Sequence, residues 1–264
     1  MKLTKIEVLK GTILCESGLS ISGVNSGLSI GALSSEFIKN PITKEPYIPG
    51  SSLKGKLRCI LEQEENQYGA NGSGYKKFKK KSEGKEKEIQ EPDGTPCGCG
   101  ECTICKLFGA HASGKNDRTP TRLIVRDSML TDKSRERIEN SDFNEEVCFE
   151  TKIENVIDRK KGNTINGGMR TNERVAAGTD FNFELVLQIY DVDTEEDVNA
   201  YKALIQKGLT LIELTYLGGS GSRGYGKVKF KKELKKEEEK QQSGDKISIS
   251  DWKTVYPFPE NAEE

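Results

Sequence analysis

Residues 217–228 read Leu-Gly-Gly-Ser-Gly-Ser-Arg-Gly-Tyr-Gly-Lys-Val, and Lys229-Phe230 continue the run. Gly218, Gly219, Gly221, Gly224 and Gly226 let backbone N–H groups approach an anion closely, and Ser220, Ser222 and Arg223 add hydroxyls and a positive charge. Tyr225 offers a ring on which a nucleobase can stack. No Gly-Lys-Ser/Thr closes the run, and it follows a helical stretch instead of opening one, so it is not a P-loop. A glycine-rich turn between two core elements is the plainer reading of the same residues.

Outward from this loop, the flanking sequence changes period. Upstream, Val198, Tyr201, Ile205, Leu209 and Ile212 share one helical stripe behind the acidic start Glu195-Glu196-Asp197. Downstream, Lys227 to Phe230 alternates as a short strand. Further strands are expected at Leu3 to Cys15, Thr121 to Leu130 and Asp180 to Tyr190. After Pro49-Gly50, a helix is expected with Leu53, Leu57, Ile60 and Leu61 on its apolar stripe, Lys54, Lys56 and Arg58 elsewhere, and Ser51 or Ser52 as its cap. Its N-terminus is a site where a phosphate can sit, and a surface helix with ordinary lysines is the alternative. The pattern is α+β.

Only 33% of the 264 residues are hydrophobic and 31% are charged, which is too polar for a continuous core and calls for solvated insertions in one domain. Residues 62–96 are rich in lysine, glutamate and glycine and are expected to be a mobile insertion. Residues 150–178 carry Arg159, Arg170, Arg174 and the pair Gly167-Gly168, which suits a projecting hairpin. Residues 231–264 form a charged low-complexity tail with one apolar patch at Ile247 to Phe258, and the tail is expected to lie at the periphery. A net charge of −1 argues against a strongly basic exterior, so any phosphate contact rests on local charge. No apolar run reaches the ~20 residues of a membrane span and the N-terminus lacks a secretory core, so the expected location is the cytoplasm, with no membrane partner.

Cys97, Cys99, Cys102 and Cys105 follow a C-x-C-x2-C-x2-C pattern, and His111, the one histidine, lies six residues on. Thiolates this close together can surround one Zn²⁺ and stabilise a polar insertion that lacks a core of its own. Five candidates compete for about four positions, and the spacing leaves open which is spare. A site closed by protein ligands has no place for a catalytic water, so the zinc is read as structural. Buried free thiols and a redox pair are the alternatives.

Ile48 to Arg58 (IPGSSLKGKLR), Cys105 to Gly109 (CKLFG), Glu154 to Arg159 (ENVIDR) and Leu217 to Val228, in this order, resemble the RAMP superfamily. Within it they are most similar to the repeated Csm-type backbone subunit of type III-A CRISPR complexes. The resemblance implies an RRM-like, ferredoxin-like core over residues 1–230. It carries insertions at about 62–118, with the zinc site, and at 150–178, a projecting thumb hairpin. It implies copies stacked head to tail along a CRISPR guide RNA, with the thumb displacing a base at intervals. It also implies target RNA, a large polymerase-like subunit, a small subunit and end-capping RAMP subunits as partners. Ser51, Ser52, Lys54 and Arg58 match the family's basic helix, Gly219 to Tyr225 its glycine-rich loop, and Arg159, Arg170 and Arg174 the thumb.

The family commonly cuts target RNA with an aspartate in the loop before the basic helix. Here the matching stretch is Ile30 to Ser35, with Ser34 at that position. A neutral hydroxyl is a poor ligand for a hard cation such as Mg²⁺, which is implied only if cleavage is retained. The expectation is a subunit that holds guide and target without cutting. Serine could be natural there or a substitution made to trap target RNA, and transfer of the role to Glu36 would shift the carboxylate too far for a metal site. An active endoribonuclease and a zinc-stabilised interaction module are the alternatives.

Overall fold

The computed structural model of the chain describes residues 1–23, 35–65, 75–82, 85–92, 94–110, 119–140, 148–232 and 246–257, with 75–82 and 85–92 described as backbone. In chain order the elements are β1 (Leu3–Cys15), β2 (Tyr47–Ile48), α1 (Gly50–Glu64), β3 (Tyr75–Ser82), β4 (Lys85–Pro92), α2 (Thr103–Phe108), β5 (Leu123–Val125) and β6 (Ser128–Met129). They continue with α3 (Asp132–Glu139), β7 (Phe149–Ile157), β8 (Thr164–Val175), β9 (Asp180–Tyr190), α4 (Glu195–Leu214), β10 (Val228–Lys232) and β11 (Lys253–Tyr256).

Alternation in β1 buries Leu9, Ile13 and Cys15 on one face and turns Lys10 outward, as a half-buried strand requires. β1 pairs along its length with β9, which buries Phe181, Phe183, Leu185, Leu187 and Ile189. β5 extends the sheet beyond β9, and β10 and β11 divide the other edge of β1, so the main path is β10-β1-β9-β5 with antiparallel neighbours throughout. This is a mixed fold of sheet and helices.

Helices α1 and α4 pack together to cover the inner face. A Cβ on Gly208 would lie 2.9 Å from Leu57 Cδ2 and 3.2 Å from Leu61 Cδ1, so the absent side chain permits that close approach. Thr194 caps α4 reciprocally with Asp197, and the expected stripe buries Tyr201, Ile205, Leu209 and Ile212. No described helix is long and apolar enough to cross a membrane.

Several expectations are corrected. Thr121 to Leu130 is not one strand: β5 pairs with β9 and β6 with β2, with Arg126 and Asp127 between them. Neither Ser51 nor Ser52 caps α1; the cap is Pro49, without a side-chain bond, and the Gly50 N–H is instead taken by Asp127 Oδ1 at 2.7 Å. Part of residues 62–96 is regular, because α1 extends to Glu64 and β3 and β4 form a hairpin. Part of the tail is not peripheral: β11 pairs with β1 at Ile6, Glu7 and Val8, and Ile247 is buried in the core. The sequence-adjacent edge strand β10 covers only Gly11 to Cys15, which leaves the first half of β1 open to it.

Candidate nucleic-acid interface and metal centre

The glycine-rich loop is drawn tightly against the start of the chain. Gly218 has φ +76° and a Cβ there would meet the Ser20 carbonyl oxygen at 2.3 Å; Gly226 has φ +72° and would meet that of Leu217. Both positions exclude a side chain on two grounds, backbone angle and space. Gly219 N donates to Ser20 O at 2.8 Å, and Gly221 to Arg223 form a single turn of 3-10 helix flanked by left-handed Ser220 and Gly224. Ser222 and Arg223 are exposed on this turn.

Tyr225 does not present its ring to a base. It is only 2% exposed, with Lys152 Nζ 4.4 Å and the Arg174 guanidinium carbon 4.7 Å from the ring centroid. The ring thus joins the loop to the hairpin formed by β7 and β8. Around it, Lys152 Nζ donates to Arg223 O at 3.1 Å, Arg223 pairs with Glu154 at 2.9 Å, and Arg174 pairs with Glu150 at 2.7 Å. Burial opposes the Glu154 charge, but the Tyr225 hydroxyl and Arg223 outweigh it and hold the carboxyl below its usual range. Lys152, Glu150 and Glu154 carry no distinguishing pattern in the sequence, although the last lies in the ENVIDR stretch.

The hairpin is anchored at its root and free beyond it. Glu173 N donates to Ser35 O at 2.9 Å, and the Glu173 carboxylate accepts from Phe37 N at 2.9 Å and Lys39 Nζ at 3.1 Å. Toward the tip, Asp158 Oδ1 accepts from Lys160 N, and Arg159 and Arg170 are exposed, whereas Arg174 is half-buried at the root. Ile153, Ile157, Ile165 and Met169 are exposed as well.

On α1, Ser51 is exposed and Ser52 half-buried. Lys54 Nζ donates to the Leu123 carbonyl at 2.9 Å, and burial, then repulsion from Arg58, lowers its pKa. Lys56 Nζ stands 3.6 Å from the centroid of the Tyr216 ring. Arg58 is committed to protein partners: Nε bonds Glu62 Oε1 at 2.8 Å, one terminal nitrogen the Gly109 carbonyl at 2.8 Å and the other the Cys97 carbonyl at 2.7 Å.

The four cysteine sulfurs all lie within 4.8 Å of one another, and Cys99 Sγ is 3.8 Å from Cys105 Sγ. A tetrahedral Zn²⁺ with Zn–S bonds of about 2.3 Å places its sulfurs roughly 3.8 Å apart, so the set fits a thiolate-bound metal ion. Backbone N–H groups of Cys102 and Cys105 donate to Cys99 Sγ and Cys102 Sγ at 3.4 and 3.3 Å. The Cys102 thiol holds Cys105 down to about 5, while burial pushes Cys97 up to about 11. The remaining candidates, Ser34 and His111, lie outside the described residues.

A family model described as the RAMP superfamily matches residues 32–229. The chain belongs to the RAMP superfamily. Among its relatives, the CRISPR system Cms endoribonuclease Csm3 of Methanocaldococcus jannaschii is 42% identical over 228 residues, covering 85% of this chain and 78% of the relative. The protein of the same name from Streptococcus thermophilus is 37% identical over 233 residues, covering 88% of this chain and 90% of the relative. A crystal structure of Csm3 from Methanopyrus kandleri matches with a TM-score of 0.51 at 19% identity, over 87% of this chain and 76% of that one, a likeness of fold alone.

Proposed function

We propose that this chain is a Csm3-type backbone subunit of a type III CRISPR effector complex, one that binds guide RNA through an RRM-like core. Copies stack along the guide and hold the guide–target RNA duplex. The observation that carries this reading is the junction around Tyr225, where the glycine-rich loop and the hairpin meet and leave Ser222, Arg159, Arg170 and Arg223 exposed. A guide of any sequence must be accepted, so these groups act on phosphate and sugar while base pairing reads the target. Ser51, Ser52 and Lys54 extend the surface along α1, and Gly219, Ser220 and Gly221 contribute backbone.

The partners in this reading are guide RNA, target RNA, further copies of the chain and the other subunits of a type III complex, in the cytoplasm. A relative 42% identical, named as Csm3, supports it. The four cysteines are read as holding a structural Zn²⁺ that fixes the segment around α2. With Ser34 at the position of the family's aspartate, the chain holds the duplex without cutting it. The relatives' name of endoribonuclease favours the second reading, metal-dependent cleavage of target RNA.

Arg159→Ala and Arg170→Ala test the interface. Affinity should fall by similar factors for RNAs of unrelated sequence, and the salt dependence of binding should become shallower by about one counterion for each phosphate no longer neutralised. A decrease confined to one sequence contradicts phosphate recognition. Regularly spaced, metal-dependent cuts in target RNA by the assembled complex favour the second reading.

A further inference from the structure

The cysteine segment is closed by a single side chain of α1. Arg58 donates to the carbonyl of Cys97, the first of the cysteines, at 2.7 Å and to that of Gly109, just past the last, at 2.8 Å. Glu62, one turn on, accepts from Arg58 Nε at 2.8 Å and from the backbone N–H of Cys97 at 2.9 Å. The Arg58 and Glu62 side chains are only 15% and 6% exposed, so water does little to weaken this set of bonds. The planar guanidinium presents its donors to the three acceptors from separate nitrogens, whereas an ammonium is a single point donor on a flexible stem.

We infer that Arg58 and Glu62 are positioning residues for the metal centre, pre-closing the Cys97–Gly109 segment so that its four sulfurs converge before the ion arrives. This deepens the reading of the cysteines as a metal site and rests on it. Closing the ends of a flexible segment has an entropic cost that otherwise falls on metal binding. Outer partners that orient ligands in this way commonly change metal affinity by about 10–100-fold when removed. The same side chains tie the metal to the helix that carries Lys54 and to Lys56, whose ammonium sits over the Tyr216 ring beside the glycine-rich loop. A Cβ on Gly221 would penetrate that ring, so Tyr216 and the loop touch directly.

The test uses the full chain with its co-purified RNA, titrated with Co²⁺ and then Zn²⁺ in competition with a chromophoric chelator. The wild type, Arg58→Ala, Arg58→Lys, Glu62→Gln, Cys102→Ala and a distant control, Arg135→Ala, are compared, with far-UV circular dichroism to verify folding. Expected is a thiolate-to-cobalt absorption of wild-type intensity in Arg58→Ala and Arg58→Lys at saturation, with Zn²⁺ affinity lower by about 10–100-fold in both. Glu62→Gln, which keeps the helix intact, should give a smaller decrease in the same direction, and Arg135→Ala none. Wild-type affinity in folded Arg58→Ala and Glu62→Gln, alongside weakened binding in Cys102→Ala, overturns the inference and leaves the metal site standing. Failure of the wild type itself to bind either ion removes the metal site and the inference with it.

Discussion

Two polar insertions interrupt the core, and they are held in opposite ways. The segment from Cys97 to Gly109 is tied inward: Arg58 and Glu62 bind its backbone, its sulfurs face one another, and Ile104, Leu107 and Phe108 of α2 join the core. The β7–β8 hairpin is fastened at its root by Glu173, Tyr225 and the Phe37–Phe149 contact, and beyond that exposes Ile153, Val156, Ile157, Ile165 and Met169. A two-stranded ribbon with apolar side chains in water is weakly stabilised by itself, and grouped exposed apolar residues mark a surface that a partner covers. The first insertion is thus tied into the core, and in the proposed reading the second faces a partner.

The largest effect expected from breaking this contrast comes from emptying the proposed metal site. Chelation, or Cys105→Ser, should abolish tight binding, which in small structural zinc sites is worth on the order of 10 kcal/mol. Limited proteolysis should then cut within 94–110 while the hairpin root stays as resistant as before. Next, Tyr225→Ala removes a buried ring from the junction of loop and hairpin and should cost about 3–5 kcal/mol in urea unfolding. Tyr225→Phe, which keeps the ring under both cations, should cost much less. Glu173→Gln weakens the bonds to Phe37 N and Lys39 and should cost about 1–3 kcal/mol, with hydrogen exchange accelerating at the root. Smallest in stability, Ile153→Ser and Met169→Ser should stay within about 0.5 kcal/mol of wild type. Those two should nonetheless reduce co-purification of further copies of the chain on RNA, and unchanged assembly would remove the contrast between the insertions.

Sequence periodicity made the central elements legible because burial writes itself into alternation. Leu3 to Cys15 and Asp180 to Tyr190 are strands over those residues, and the stripe from Tyr201 to Ile212 is the buried face of α4. The apolar patch at Ile247 to Phe258 is visible in the sequence, but the place of β11 is not, because its four residues are positioned by completing the open half of β1, a long-range pairing. Arg58 was legible as a charge but not as a clamp: the i,i+4 spacing to Glu62 is visible in sequence, whereas two of its partners are backbone carbonyls, which no side-chain pattern records. Tyr225 sits among glycines, and in the sequence alone its ring is available for base stacking. The glycines instead allow the chain to fold over it, and two cations from the hairpin take both the space and the charge that a base would need.

A chain that binds guide RNA as a repeated subunit keeps that RNA through purification. The most direct measurement is to purify it with its co-expressed partners, wash at high salt, and extract and sequence the RNA that remains. Discrete RNAs of uniform length bearing CRISPR repeat sequence are the predicted result; no RNA, or fragments drawn at random from cellular transcripts, would contradict it.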